Sequence, residues 1–311
     1  MASSTGSRKK THPLEAEPLD RGTALSGLDA WYVSTGRHAL PWRLTRDPYA
    51  VLVSEVMLQQ TQVSRVLPAY AAWLGRWPTL PHLAAAAAGD VIRQWSGLGY
   101  NRRALNLHRA AAELLEQGSM DVPIESGRLE SLPGIGPYTA AAVASFAGEQ
   151  PGPVVDTNIG RVLARHRLGL NSPREATPTA VWRLAGQYVP QSGPESRHHN
   201  LALMDLGALV CRAAAPLCEA CPVAATCRWL AAGRPAAVRA GRKAPRFETT
   251  DRYARGRVID ALRLAPRSLA ALAEALPPQH AAGVEGLLAG LARDGLVVAQ
   301  PGAMWALPGD L

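Results

Sequence analysis

Apolar residues recur at three- and four-residue spacing from about residue 28 to residue 229, the period of an amphipathic helix. One such run consists of Val51, Val53, Val56, Met57 and Leu58, followed by Val63, Val66 and Leu67. Long alternating apolar and polar segments, which would predict strands, are missing here. Pro and Gly interrupt the pattern at short intervals. The region is therefore predicted to be a set of short helices joined by turns.

The last sixty residues follow another pattern. They predict helices at 253–264, at 268–276 with Ser268 as a cap, and at 282–294. Two short apolar strands, at 296–299 and 304–307, then flank a Pro-Gly turn and predict a β-hairpin. Three helices followed by a hairpin are the outline of a winged-helix module.

The predicted fold class is thus mainly α, with four segments along the chain. Residues 1–24 are polar and are expected to form a flexible tail. Residues 25–230 form the main helical domain, and residues 231–250 form a linker rich in Pro and Arg. Residues 251–311 form the small winged-helix-like domain.

Composition narrows the class of protein and partner. The chain has 33 Lys and Arg against 25 Asp and Glu, a net charge of +8 that favours a polyanionic partner such as nucleic acid. With 47% hydrophobic and 19% charged residues, the chain can build a core. No secretory signal and no run of 18 apolar residues is present, so a cytoplasmic, nucleoid-associated protein without a membrane span is expected.

The four cysteines lie within seventeen positions. They are Cys211, Cys218, Cys221 and Cys227, in the spacing C-x6-C-x2-C-x5-C. Such clustering is typical of metal ligation in a reducing compartment rather than of a disulfide framework. Spacing alone leaves zinc and an iron–sulfur cluster as open alternatives.

A glycine-rich turn, LPGIGPYTA at 132–140, joins two helical segments. Its glycines allow a tight turn that exposes N–H groups beside a helix N-terminus, where a phosphate oxygen fits. Such contacts position a protein on nucleic acid without reading sequence. The candidate DNA-contacting residues of this turn are Pro133, Gly134, Ile135 and Gly136.

Asp156 follows an apolar segment in the string PVVDTN at 153–158. It is expected to be the N-cap of a helix that runs through Arg161 and Arg165. A carboxylate that faces an active-site pocket is the other interpretation, and the sequence alone does not separate the two.

The glycine-rich turn, the string VVDTN and the cysteine spacing occur in one order, and together they resemble the endonuclease III superfamily of DNA glycosylases. The resemblance covers about residues 28–229. It implies a helix-hairpin-helix glycosylase fold of two helical subdomains with an iron–sulfur loop at 211–227. In that family the four cysteines hold one 4Fe–4S cluster, which favours this cofactor over zinc. Double-stranded DNA is the implied partner, bound by a monomer.

Two positions indicate the branch of the family. Endonuclease III carries a nucleophilic lysine two residues after the second hairpin glycine, where this chain has Tyr138. A phenol cannot form the Schiff base that leads to strand cleavage, so a monofunctional glycosylase is predicted. The string SEVMLQQTQ at 54–62 is similar to the MutY adenine glycosylases, in which the glutamate at the position of Glu55 is the general acid.

The resemblance then implies a set of catalytic roles. Glu55, if burial raises its pKa, would protonate nitrogen 7 of an adenine that has left the duplex. Asp156 would stabilise the oxocarbenium-like sugar or trap it covalently. Tyr138 and Asn158 would be supporting polar groups. The implied substrate is adenine paired with 8-oxoguanine or guanine.

Further positions match residues that contact DNA or the base. Gln60 and Tyr100 correspond to residues that wedge into the duplex and fill the gap. Leu40, Trp42 and Arg43 resemble part of the adenine pocket. For Trp42 and Tyr100, core packing is the competing interpretation.

The sequence departs from the family in places. The tail after residue 252 is too short for the Nudix-like domain with which many relatives recognise 8-oxoguanine, so the source of that recognition is open. Asn101 stands where a second Tyr is usual, and Leu201 where relatives often have Glu or Gln. Two alternatives remain: a thymine or uracil mismatch glycosylase, and a non-catalytic iron–sulfur protein that binds DNA.

Overall fold

A computed structural model shows the mainly helical architecture that the sequence predicts. It describes residue 22, residues 25–236 and residues 245–310. Apart from Gly22, the predicted flexible tail lies outside these residues, and so does the middle of the predicted linker. The described chain divides into two compact units. The cysteine unit contains the described residues up to 38 and residues 149–236, and the hairpin unit contains residues 39–148 and 245–310.

The chain starts in the cysteine unit with α1 (Leu28–Thr35) and continues into the hairpin unit. The helices there are α2 (Pro41–Leu44), α3 (Pro48–Leu58), α4 (Val63–Arg76), α5 (Leu80–Ala84), α6 (Ala88–Gln94), α7 (Arg102–Glu116), α8 (Ser126–Glu130) and α9 (Pro137–Phe146). Several carry proline in the first turn, where its missing N–H costs nothing.

Helix α3 is the centre of the hairpin unit. Every residue from Tyr49 to Met57 is buried, and α3 packs against α4, α7 and α9. Asp47 caps its N-terminus by accepting a hydrogen bond of 3.0 Å from the N–H of Tyr49. Each fully buried Val, Leu or Met side chain contributes about 1.5–3 kcal/mol. Packing therefore holds this helix in place and fixes the direction of any polar side chain on it.

The chain then returns to the cysteine unit. Its helices are α10 (Thr157–Leu163), α11 (Pro178–Tyr188), α12 (Gly193–Asp205) and α13 (Arg228–Ala231). Helices α10 and α12 each continue into a π-helical turn, at Ala164–Leu168 and Leu206–Val210. Such turns widen a helix and are frequent at functional sites. The second of them leads directly to the first cysteine.

The C-terminal part of the hairpin unit contains α14 (Asp251–Leu264), α15 (Leu269–Glu274), α16 (Pro278–Ala281) and α17 (Val284–Arg293). The strands are β1 (Arg267–Ser268), β2 (Val298–Gln300) and β3 (Met304–Ala306), in the antiparallel order β1–β3–β2. The sequence pattern missed α16 and β1 because both are too short to show a period. Ser268 caps α15 through a hydrogen bond of 3.3 Å from the N–H of Ala271, as expected.

This C-terminal segment shares one hydrophobic core with the first part of the hairpin unit. Ile92 of α6 and Leu105 of α7 belong to the same buried cluster as residues of α14, α15 and α17. The compact units thus follow a division of the chain other than the one drawn from the sequence, in which residues 251–311 stand alone. Within the described ranges, no helix is long and apolar enough to cross a membrane.

Candidate active site and cysteine cavity

Glu55 lies inside the hairpin unit. Its side chain projects from the middle of α3 and the residue is only 4% exposed. Its neighbours in the helix, Val53, Val56 and Met57, are buried too. Oε2 of Glu55 accepts a hydrogen bond of 2.6 Å from the hydroxyl of Tyr138. The structure therefore brings together two residues that the sequence separates by 83 positions.

Tyr138 is positioned by the start of α9. Gly136 is the N-cap of that helix and Pro137 occupies its first position, so Tyr138 lies in the first turn. A second contact joins α3 to α9, because the amide of Gln59 donates to the hydroxyl of Thr139 at 3.3 Å. The phenol can donate a proton in a hydrogen bond to the carboxylate, but it cannot act as an amine nucleophile.

The glycine-rich turn between α8 and α9 needs glycine at one position for its own packing. Gly134 has φ of 76°, and a Cβ atom there would lie 2.6–3.0 Å from side-chain atoms of Asn106 on α7. Ile135 is 5% exposed and its N–H donates to the carbonyl of Leu132, so this N–H is engaged within the turn, and the predicted DNA contact of Ile135 stays a prediction.

Gly136 differs from Gly134. It is exposed, its φ of −99° is ordinary, and a Cβ atom would meet nothing within 4 Å. The protein's own packing therefore gives no reason for glycine at the N-terminus of α9. A group that approaches from outside, such as a phosphate, does give one. Pro133 is half-buried at the base of the same turn.

Gln60 and Tyr100 lie on two loops of the hairpin unit, residues 59–61 and 97–100, here called the wedge loops. Both residues are exposed and both have left-handed backbones, with φ of 56° and 48°. For residues other than glycine such conformations cost about 1–3 kcal/mol each. The hydroxyl of Tyr100 donates to Oε1 of Gln60 at 2.6 Å. The two residues thus form a pair, although 40 positions separate them.

Arg103 holds the wedge loops in these conformations. Its guanidinium donates to six oxygen atoms at 2.7–3.1 Å, the carbonyls of Val56, Met57, Gln59, Leu98 and Gly99 and the hydroxyl of Thr61. Burial lowers the pKa of Arg103 to about 10, and the nearby Tyr100 opposes that shift. It therefore stays charged at neutral pH. No sequence motif marks Arg103, because most of its acceptors lie in another segment of the chain.

The residues expected in the base pocket are all close to the start of α2. Leu40 is half-buried at the N-cap, and the N–H of Arg43 donates to its carbonyl. Trp42 is 6% exposed and packs edge-on against Tyr70, with ring centroids 5.4 Å apart. Trp42 is therefore packed in the core, which was the alternative considered for it, whereas Tyr100 is exposed and is not a core residue.

Asp156 lies in the cysteine unit and is the N-cap of α10, as expected. Oδ1 accepts hydrogen bonds from the N–H groups of Asn158 and Ile159, at 2.9 and 2.6 Å, and Oδ2 accepts one of 2.7 Å from the amide of Asn158. Burial raises the pKa of Asp156, while these hydrogen bonds and the charge of Arg161 oppose the shift. The carboxylate is thus costly to bury but well supplied with donors.

Arg161 connects this carboxylate to the cysteine loop. Its Nη2 donates to Oδ1 of Asn158 at 2.8 Å and to the carbonyl of Gly207 at 2.7 Å, and its Nε donates to the carbonyl of Cys211 at 2.7 Å. Gly207 is required here, since a Cβ atom would lie 2.7 Å from Cβ of Asn158. Asp156 and the first cysteine are therefore joined through two intermediate side chains.

All four cysteines line one cavity that opens to solvent. Each carries a free thiol and is half-buried. The other lining residues are Arg165, Val210, Pro216, Leu217, Ala224, Trp229 and Leu230. Among the described residues, no three His, Cys, Asp or Glu side chains are grouped closely enough to hold a single metal ion.

The electrostatics of this cavity disfavour thiolates that lack a compensating charge. Burial raises the pKa of Cys221 to about 11, and the other three thiols add to the shift. Nη1 of Arg165 lies 3.7 Å from Sγ of Cys211, and the guanidinium lies over the ring of Trp229 at 4.5 Å. Thiolates in this cavity therefore need compensating charge, of which Arg165 supplies a part and bound metal would supply the rest.

Comparisons with known proteins show the family of this chain. Residues 53–187 match the family model described as HhH-GPD superfamily base excision DNA repair protein. The chain is 40% identical to the adenine DNA glycosylase of Mycobacterium tuberculosis over 296 residues, which cover 92% of this chain and 93% of the relative. It is 43% identical to that of Mycolicibacterium smegmatis over 235 residues, or 75% and 78% of the two chains.

Among solved structures, the chain is similar to that of a thermostable thymine-DNA glycosylase. The TM-score is 0.61 and the identity 29%, over 68% of this chain and 97% of the other. Two different target bases are thus named among the similar proteins.

Proposed function

Because the chain belongs to the HhH-GPD superfamily of base-excision DNA repair proteins and to its adenine DNA glycosylases, we propose that it hydrolyses the bond between adenine and its sugar where adenine faces 8-oxoguanine or guanine. The single observation that carries this proposal is the buried Glu55, hydrogen-bonded by Tyr138 at the place where a strand-cleaving relative has lysine. The product is an abasic site in an otherwise intact strand.

Glu55 is the general acid of the proposed reaction. Adenine is a poor leaving group until a ring nitrogen is protonated, so Glu55 transfers its proton to nitrogen 7. The bond from the sugar to the base then breaks, and its electron pair leaves with the neutral adenine. The hydroxyl of Tyr138 donates to the carboxylate that remains, which offsets part of the cost of a charge in an apolar setting.

Asp156 is the electrostatic partner of the sugar in the proposed reaction. Loss of adenine leaves an oxocarbenium-like sugar, which an ionised carboxylate stabilises. The three hydrogen bonds from Asn158 and Ile159 support the ionised form. Water then adds its oxygen to the anomeric carbon and passes one proton to a carboxylate. Adenine and an abasic sugar are the balanced products.

The DNA duplex is bound through the hairpin unit in this proposal. The exposed N-terminus of α9, with Gly136 at its cap, suits a phosphate group. Gln60 and Tyr100 on the wedge loops suit the gap that an extruded base leaves. We propose a monomer that acts in the cytoplasm, close to the nucleoid.

The four cysteines fit a 4Fe–4S cluster. Four thiols that line one cavity are the donor set of such a cluster, and the similarity to adenine DNA glycosylases of the HhH-GPD superfamily favours it over a single Zn²⁺. Cys211, Cys218, Cys221 and Cys227 would hold the cluster, which when bound would cross-link the loop through four iron–thiolate bonds. Arg165 and Arg161 fix the first of these cysteines by hydrogen bonds to Cys211 and its neighbours.

A thymine or uracil glycosylase for mismatches with guanine is the second candidate, favoured by the similarity to a thymine-DNA glycosylase. Tyr138 and Asp156 are compatible with both activities. The higher identity to adenine glycosylases, and the buried acid at Glu55, favour adenine.

The test uses end-labelled duplexes with adenine opposite 8-oxoguanine, guanine or thymine, and with thymine or uracil opposite guanine, each treated with and without hot alkali. We expect cleavage after alkali at adenine opposite 8-oxoguanine and guanine, and none with Glu55→Gln. Cleavage confined to thymine or uracil would replace the proposal by the second candidate. Cleavage without alkali would show a lyase, and adenine opposite thymine controls for unspecific excision.

A further inference from the structure

The first turn of α14 stacks on the wedge loops, within the hairpin unit. The guanidinium of Arg252 lies over the ring of Tyr100, 4.8 Å from its centroid, and over the ring of Phe247, 4.6 Å from its centroid. Nη1 of Arg252 also donates to the hydroxyl of Tyr100. Tyr100, Arg252 and Phe247 are here called the arginine stack.

The arginine stack is exposed. Tyr100 keeps 38% and Phe247 46% of its surface in contact with solvent, and Arg252 is exposed as well. Phe247 is supported from behind by Tyr253, with the two rings edge to face at 5.5 Å. Large aromatic side chains are normally covered in a folded chain, and an exposed pair that holds a guanidinium is typical of surfaces on which nucleobases stack.

No carboxylate among the described residues pairs with the guanidinium of Arg252. Other arginines of the hairpin unit pair with carboxylates: Arg93 with Asp310, Arg255 with Asp294, and Arg263 with Asp260. Within residues 25–236 and 245–310, the guanidinium of Arg252 forms no ion pair and donates one hydrogen bond, to the hydroxyl of Tyr100. Most of its five N–H donors are therefore open to an acceptor from outside.

The position of the arginine stack indicates which outside group its guanidinium would bind. Arg252 is bonded to Tyr100, and Tyr100 is bonded to Gln60 at 2.6 Å, so the guanidinium belongs to the same assembly as the two wedge residues. Any base that stays in the duplex opposite an extruded nucleotide would meet this assembly. The rings restrict the guanidinium plane, which lowers the entropy lost when its N–H groups bond a planar partner.

We propose that Arg252 reads the guanine-type base that faces the extruded adenine. This inference rests on the proposed function. Guanine presents two acceptors, O6 and N7, to which an arginine fork donates in bidentate fashion. 8-Oxoguanine keeps O6 and adds an acceptor oxygen at carbon 8, but its N7 carries a proton, so the guanidinium donates there to an oxygen and not to N7. Cytosine offers an amino group at the corresponding edge. Arg252 thus supplies, from the C-terminal segment, a contact that distinguishes a guanine-type base from cytosine.

The test compares Arg252→Ala, Arg252→Lys and Phe247→Leu with Arg257→Ala, an exposed arginine on the same helix that contacts neither ring. Binding is measured to duplexes that carry a tetrahydrofuran abasic analogue opposite 8-oxoguanine, guanine or cytosine. We expect wild type and Arg257→Ala to prefer the two guanine-type bases. Arg252→Ala should lose about tenfold to a hundredfold of that preference. Arg252→Lys should lose it as well, because lysine keeps the charge but not the planar fork.

Three results would overturn the inference: no preference in the wild type, an unchanged preference in Arg252→Ala and Arg252→Lys, or a loss that is equal for all three opposing bases. An equal loss, with a smaller dependence on salt, would mean a phosphate contact only. If Arg252→Ala does not fold, Arg252→Lys and Phe247→Leu decide. These duplexes contain no adenine at the site, so a failure to excise adenine contradicts the proposed function without affecting the binding result.

Discussion

The hairpin unit and the cysteine unit each carry one carboxylate of the proposed reaction, and they hold it by opposite means. Glu55 projects from the middle of a buried helix, is 4% exposed and accepts a hydrogen bond from the phenol of Tyr138. Asp156 is half-buried at a helix N-terminus and accepts two backbone hydrogen bonds and one from the amide of Asn158. The first carboxylate is supported by packing, the second by donors.

Because of this difference, the two carboxylates are suited to different chemical roles. Backbone N–H groups and the dipole at a helix N-terminus favour an ionised group, so Asp156 is equipped to face a developing cation. Even so, burial raises the pKa of Asp156, and its charge depends on those donors. Apolar surroundings disfavour a charge, so a group placed like Glu55 is suited to carry a proton. The surroundings of each carboxylate thus suit Glu55 to act as the acid and Asp156 to stabilise the positive charge on the sugar.

The largest expected effect comes from replacing one of the two carboxylates at a time. Glu55→Gln should lower the single-turnover rate by about 10²–10⁴-fold and Asp156→Asn by about 10²–10³-fold, with DNA affinity changed little. A substrate with 7-deazaadenine lacks the nitrogen that Glu55 protonates. Wild type on that substrate should be as slow as Glu55→Gln, and Glu55→Gln should lose nothing more. A further large loss in Glu55→Gln would contradict the role of the acid.

A smaller effect comes from removing one side-chain donor in each unit. Asn158→Ala removes a hydrogen bond that stabilises ionised Asp156, so the pKa of that carboxyl rises further. Activity requires the ionised form, so the acid limb of the rate profile should move to higher pH. Tyr138→Phe removes the donor to Glu55 and leaves the donors of Asp156 in place, so it should slow the reaction without moving this acid limb. If both variants shift the same limb, the two carboxylates do not have opposite roles.

The smallest effect concerns stability. Since burial raises the pKa of Asp156 in the folded chain, the native state holds the proton to higher pH than the unfolded state does. The free energy of unfolding should therefore fall as pH rises from the usual range of an aspartate through the raised pKa, with a slope below about 1.4 kcal/mol per pH unit. Asp156→Asn keeps the cap but loses the slope, so its stability relative to wild type should increase over that window.

Asp156→Ala is the matched control for this measurement, made by chemical denaturation at several pH values. It also lacks the slope, but it loses the N-cap and should be less stable than Asp156→Asn by about 1 kcal/mol throughout. Equal stability of the two variants would mean that the cap contributes nothing. A slope that persists in both would assign the pH dependence to another group.

Local features of the site were open to prediction from the sequence, and contacts between distant segments were not. The N-cap at Asp156 depends on its own next three residues, so the string VVDTN was enough. The need for glycine at Gly134 followed from the turn. The occupied N–H of Ile135 was missed, because a residue pattern does not say which amide a turn consumes.

The wedge loops show most clearly that contacts between distant segments could not be predicted from the sequence. Their two exposed residues were assigned by resemblance, but Arg103, which bonds both loops, lies 42–47 positions from its acceptors near α3. Arg252 meets Tyr100 from 152 positions away. Nothing in the neighbourhood of either arginine distinguishes it from the other arginines of the chain.

The sequence by itself determined the helices, the cysteine spacing, the glycine-rich turn, the cap at Asp156 and the missing lysine at position 138, because each is fixed by covalent spacing or by one residue's chemistry. Only the tertiary structure decided that Tyr138 reaches Glu55, that the C-terminal helices share a core with Ile92 and Leu105, and that Arg252 stacks on Tyr100. These contacts arise when separate segments pack. Many pairings of the same segments satisfy the local pattern equally well, and the burial of a common core selects among them.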